Sequence, residues 1–314
     1  MTTVDTSKKQ LNIQIVECGA LSWIDIQQPG VAEMQYLKDR YHFHQLSLDD
    51  CLSVIQLPKL DEFLDHLFMV THFPRFNKET RLTTPSEVDL FAGANYVVTV
   101  HNGDLRPLLK LFHDCQVSDS IRQEVMSRGS GYLLYRILDA LVDYCFPVLS
   151  KIVENVHQIE QRVFDEWGQK VVREMALLRR DILSYLRLVR PEIEVLEEME
   201  KKDFPFLKVQ EEIYFGDLAD HIRRIHNELE TLKEVMDGLY DAHASMAVYR
   251  TNDITRILTV AATVVLPFLV VSGLYGMNVP LPGAGAGLAF WLLILGTLGI
   301  SAVMLVVFRL GRWL

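Results

Sequence analysis

The chain has 314 residues, 49% hydrophobic and 23% charged, with a formal net charge of −10. Its acids lie before the last sixty or so residues, so the charge belongs to a water-facing part, which argues against nucleic-acid binding and suits a protein that meets cations. Met1-Thr2-Thr3-Val4-Asp5 has no apolar signal-peptide core, and Cys18, Cys51, Cys115 and Cys145 form no C-x-x-C pair, as expected of free thiols in a reducing compartment.

The first part of the chain reads as mixed α/β. Leu11–Glu17, Leu21–Ile26, Leu67–His72, Val88–Phe91 and Tyr96–Val100 carry the short apolar patterns of strands. Pro29–Arg40, Leu48–Ile55 and Asp104–Cys115 read as helices, with Pro107 near a helix start. Strands interleaved with helices imply stacked α/β layers, but leave the strand order open. From about Ser130 the period changes. Tyr132–Trp167 and Val171–Glu200 repeat apolar residues at steps of three and four, each interrupted by one proline, Pro147 or Pro191. Asp203-Phe204-Pro205-Phe206 breaks the pattern. The two runs form a helical hairpin with a charged outer face.

A third helix is expected from about Gln210 to Ser272, with Gly216, Gly238 and Pro267 as its only interruptions. Continuous, it would reach on the order of 90 Å at 1.5 Å per residue. Two helices meeting at a kink near Gly238 are the alternative. From Ile257 to Phe308 there is no charged side chain. Ile254–Tyr275 and Leu288–Phe308 are each about the ~20 residues that span a bilayer, and such segments must be helical to satisfy their backbone. Arg250 and Arg256 precede the first span, Arg309 and Arg312 follow the second, and the loop between is uncharged. The positive-inside rule then puts both termini in the cytoplasm of a multi-pass inner-membrane protein, with Trp291 and Trp313 as interfacial anchors. Three regions follow: a cytoplasmic α/β domain over 1–128, cytoplasmic long helices over 129–250, and a membrane domain over 251–314. The last divides into spans at about 254–275 and 288–308, an outer loop at 276–287 and a tail at 309–314.

On the first span Asn252, Thr255, Leu258, Ala262, Leu266, Leu269 and Gly273 recur at three- or four-residue steps and share a face. Several copies around an axis would make this face a pore lining; equally, the pattern suits helix–helix packing through small residues. Neither span carries an acid, the usual mark of proton coupling, which favours passive movement. A stripped divalent ion would need strong oxygen ligands. A ring of Asn amides could instead hold an ion through its retained waters, and Mg2+ gives those up reluctantly.

Tyr275-Gly276-Met277-Asn278 between two terminal spans resembles the signature of the CorA magnesium transporters. Thr251-Asn252, Pro267 and the ending Arg312-Trp313-Leu314 extend the likeness, as do Tyr132–Asp143 and Tyr214–His221 upstream, so that it covers essentially the whole chain. The resemblance implies a CorA-like homopentameric funnel: an α/β N-terminal domain, long α-helices and two C-terminal transmembrane helices in a lipid bilayer. It implies a divalent cation channel or transporter for Mg2+, with Co2+ and Ni2+ also passed, no enzymatic activity and no organic cofactor. Gly276, Met277 and Asn278 would form the outer selectivity ring, Asn252 a polar ring at the inner mouth, and Leu258 and Leu266 a hydrophobic gate. Mg2+ bound between cytoplasmic domains would favour the closed state, with Asp217 and Asp241 as its ligands. The family's opposing acid is replaced here by Asn77, and the outer loop Val279–Gly285 lacks the acids common in relatives. His42 with His44, and Asp217 with His221, are lesser pairs, more in keeping with structural or surface roles than with a metal site. A Zn2+ transporter of the same superfamily and a non-conducting membrane-anchored scaffold are the alternative readings.

Overall fold

The computed structural model describes residues 11–53, 56–77, 79–80, 82–164, 168–207, 211–277, 287–311 and 313. The chain divides into two compact units, residues 1–239 and 240–314.

The first unit is built on a six-stranded sheet in the order β1-β2-β6-β5-β4-β3. Its strands are β1 (Ile13–Cys18), β2 (Leu21–Gln27), β3 (Lys59–Glu62), β4 (His66–Asn77), β5 (Leu82–Gly93) and β6 (Tyr96–His101). All neighbours are antiparallel except β2 and β6, which run parallel. Alternate residues serve opposite faces. Phe68, Val70, Phe91 and Val98 pack with Met34, Leu37 and Leu48 from α1 (Val31–Tyr41) and α2 (Gln45–Asp50). Leu67, Met69, Leu90 and Val97 share the larger core with α3 (Arg106–Val117), α4 (Asp119–Met126), α5 (Ser130–Arg162), α6 (Gln169–Lys201) and the first part of α7 (Glu211–Tyr275). The expected α/β layers are therefore present, with helices on both faces of the sheet.

Several boundaries differ from the sequence reading. Strands β4 and β5 have twelve residues each and run on through Pro74 and Pro85, where the pattern suggested the shorter pieces Leu67–His72 and Val88–Phe91. The two prolines sit directly opposite each other, beyond the reach of β3 and β6, where ladder N–H groups point outward and proline has none to lose. Two of the outward N–H groups are capped from α6. His72 N donates to Glu192 Oε1 at 2.5 Å, and Thr83 N donates to Asp181 Oδ1 at 2.5 Å. The two carboxyl groups are about 16 Å apart along the helix at 1.5 Å per residue, one for each edge of the overhang. Helix α2 begins at Gln45 rather than Leu48, since the His44 ring accepts from Leu46 N at 3.2 Å; Val54 and Ile55 lie outside the described residues. His42 takes a left-handed conformation at φ 58° that ends α1, so one member of the histidine pair ends a helix and the other starts the next. Strand β3 and helix α4 are additional elements.

A buried polar network joins the parallel pair. Asp25 accepts from Thr99 Oγ1 at 2.6 Å and pairs with His101 Nε2 at 2.9 Å, while Trp23 Nε1 donates to Thr99 Oγ1 at 3.1 Å. Burial works against the Asp25 carboxylate, yet these hydrogen bonds and the imidazole hold its pKa below the ordinary value. The four cysteines are unpaired.

Helix α7 is one helical element of 65 residues that includes Gly216 and Gly238. In the second unit its last part lies beside α8 (Gly287–Leu310). Both are long and apolar enough to cross a membrane.

Candidate functional site

Helix α7 shows α8 one face only. Val260 is buried and Thr263, Val264, Pro267 and Val271 are half-buried, at steps of three and four. Thr297 and Ser301 are the buried polar residues of α8. Ser301 Oγ donates to Val264 O at 2.9 Å, and Thr297 Oγ1 donates back to Leu293 O within its own helix. The stripe foreseen from periodicity lies elsewhere on α7. Asn252, Thr255, Leu258, Ala262, Leu266, Leu269 and Gly273 are all exposed in the single chain. Leu258, Leu266 and Leu269 keep 63%, 55% and 65% of their surface, too much apolar area on one line to leave in water.

Past Tyr275 the helix tightens. Gly276 N donates to Ser272 O at 2.9 Å and Met277 N to Leu274 O at 3.3 Å. A side chain at Gly276 would bring its Cβ to 3.0 Å from Ser272 O, so the turn favours the absence of one. Met277 is exposed. Asn278 and the loop to Ala286 lie outside the described residues.

The acids foreseen for regulation fall in different units. Asp217 is exposed on α7, with His221 Nε2 3.9 Å from its Oδ1. The His221 ring meets the edge of Phe146 on α5. Asp139 and Asp143, also on α5, share the negative field. Burial first, then Asp143 and Asp217, push the Asp139 carboxyl above its ordinary pKa. These two acids were missed in the sequence; their i,i+4 spacing on α5 was the available signal. Asp241 is exposed in the second unit. Asn77 Oδ1 is engaged locally, accepting from Glu79 N at 2.9 Å and Thr80 N at 3.3 Å. Among the described residues no three His, Cys, Asp or Glu side chains of one chain converge on a metal position.

Comparison with known proteins places this geometry. A family model described as "CorA-like Mg2+ transporter protein" matches residues 19–310. The protein YfjQ of Bacillus subtilis is 30% identical over 280 residues, 88% of this chain and 85% of its own. The cobalt/magnesium transport protein CorA of Thermotoga maritima is 28% identical over 93% of this chain and 83% of its own. The solved structure of the CorA magnesium transporter from Methanocaldococcus jannaschii superposes with a TM-score of 0.82 at 23% identity, covering 94% of this chain and 92% of that one, which bears out the fold. A match across nearly the whole chain, with the two apolar helices at its end, makes this a divalent metal ion transporter: the chain belongs to the CorA-like Mg2+ transporter family.

Proposed function

We propose that five copies of this chain assemble around an axis in the inner membrane and conduct hydrated Mg2+ down its gradient into the cytoplasm, where both termini lie. The observation that carries the reading is the one-sided packing of α7: α8 covers the Val260–Val271 face, leaving the Asn252–Gly273 stripe free to face an axis. With α7 inside and α8 outside, the stripe lines a pore. Asn278 carboxamides, repeated by symmetry at the outer mouth, accept hydrogen bonds from the ion's water shell. Mg2+ keeps that shell because its dehydration is costly, so amides rather than carboxylates suffice. Asn252 and Thr255 supply polar groups at the inner end. Leu258 and Leu266 form a constriction that closes by excluding water.

Cytoplasmic Mg2+ gates the pore through oxygen ligands between neighbouring subunits. Asp217, beside Asp139 and Asp143, and Asp241 are the donors on α7. The ion binds the closed arrangement better than the open one, so its depletion shifts the population toward conduction. Asn77 brings no charge to this clamp and its amide oxygen is already used, so the family's opposing acid has no counterpart there. Co2+ and Ni2+, which also carry tightly held water, are further cargo.

The test is uptake of Mg2+, Co2+, Ni2+ and Zn2+ into proteoliposomes, with and without a pH gradient. Mg2+ uptake indifferent to the gradient is expected. Zn2+ uptake that requires a gradient supports the Zn2+ reading instead, and absence of any flux supports a scaffold.

A further inference from the structure

We propose that Ser301 of the second span is a positioning residue that holds the proline turn of the first, where its backbone is weakest. Pro267 lies inside α7 and has no N–H, so Thr263 O has no helical donor there. In hydrocarbon, carbonyls freed in this way are satisfied by hydroxyls of neighbouring helices. Ser301 Oγ reaches the next carbonyl, donating to Val264 O at 2.9 Å in the turn that Pro267 closes. Ser301 is 5% exposed and sits where α8 meets α7. Other hydroxyls nearby are directed elsewhere. Thr263 Oγ1 donates to Thr259 O at 2.7 Å and Thr259 Oγ1 to Thr255 O at 2.8 Å, both upstream on α7. Thr297, one turn before Ser301, donates to Leu293 O and Ile294 O of its own helix.

Pro267 divides the exposed stripe. Asn252, Thr255, Leu258 and Ala262 precede it, Leu269 and Gly273 follow it, and Leu266 adjoins it. A change of bend there swings the outer part of α7, ending at the Gly276 turn, against the inner part. Ser301 therefore couples α8, which does not contribute to the stripe, to the alignment of the two halves of the pathway. Its hydroxyl acts through the backbone of α7 and touches no ion.

The inference rests on reading the stripe as an ion pathway. Mg2+ flux into proteoliposomes is measured against internal Mg2+ for the wild type, Ser301→Ala, Ser301→Thr, Pro267→Ala and the double variant Ser301→Ala/Pro267→Ala. Loss of the hydroxyl is expected to move the internal Mg2+ that halves the flux by about threefold, the fold-change that matches an average interhelical hydrogen bond in a membrane. Ser301→Thr, which keeps a hydroxyl, restores the wild-type response. With Pro267 replaced, the Thr263–Val264 turn is held by its own backbone hydrogen bonds and Ser301→Ala has no further effect. A response unchanged in Ser301→Ala, or a shift equally large with and without Pro267, overturns the inference and leaves the pathway reading intact. No flux in the wild type overturns both.

Discussion

Glu192 makes a sharp prediction about the cytoplasmic unit. Its carboxyl is buried on α6 and accepts from His72 N, and burial pushes its pKa up to about 8 from an ordinary 4.5. The folded acid holds its proton at pH values where the unfolded one has lost it. Its contribution is therefore fully present below pH 4.5 and is lost as pH rises through about 8. Between those limits the slope is about 1.4 kcal/mol per pH unit, so from pH 6 to 7.5 the α6–hairpin junction loses about 2 kcal/mol, roughly 30-fold in its opening equilibrium. Glu192→Gln keeps an acceptor for His72 N and removes the proton. Hydrogen exchange of the full-length protein, read at peptides from β4 and α6 and corrected for intrinsic rates, compares the two. Wild type should lose protection over this range by roughly 30-fold more than the variant, which becomes the better protected above neutral pH. Equal pH dependence in both proteins would refute the reasoning.

Three further outcomes are expected. A Cβ on Gly93 would lie 2.5 Å from Tyr96 Cζ, so Gly93→Ala must displace a ring that packs on Tyr41 and should cost about 1–3 kcal/mol in chemical denaturation; an unchanged midpoint would show that the ring moves freely. Asp25→Ala leaves His101 Nε2 without its buried carboxylate and the Thr99 hydroxyl with only the longer contact to Ile24 O, and should cost about 3–5 kcal/mol by the same measurement, with a loss below 1 kcal/mol counting against the network. Asp217→Lys should abolish the protection from protease that added Mg2+ gives the wild type and leave flux high at high internal Mg2+; protection that persists removes Asp217 from the clamp.

Much of this architecture is legible in the chain because its strongest signals are uninterrupted. The absence of charge from Ile257 to Phe308 marks both apolar helices, and the three-and-four spacing of Leu133, Ile137, Leu141 and Leu178, Ile182, Tyr185 marks α5 and α6. The hairpin overhang is hidden because Pro74 and Pro85 end any apolar alternation. Their tolerance depends on strands that are distant in sequence and too short to reach them. Asp181 and Glu192 look like members of a solvated helix face, and only the unpaired strand edges reveal why α6 buries them. The stripe on α7 is visible as periodicity, but its partner is not. That α8 takes the opposite face depends on Val260, Val264 and Ser301 meeting in space. His42 and His44 carry the reverse lesson, since a spacing that suits a metal pair here ends one helix and starts another.

Mg2+ flux through wild type and Asn278→Ala in proteoliposomes, at matched protein and matched oligomer, tests the central claim most directly. The account predicts rapid Mg2+ uptake by the wild type and a loss of about tenfold or more in the variant, the effect of one well-formed set of hydrogen bonds to the ion's waters. Equal uptake by both, or none by the wild type, would contradict it.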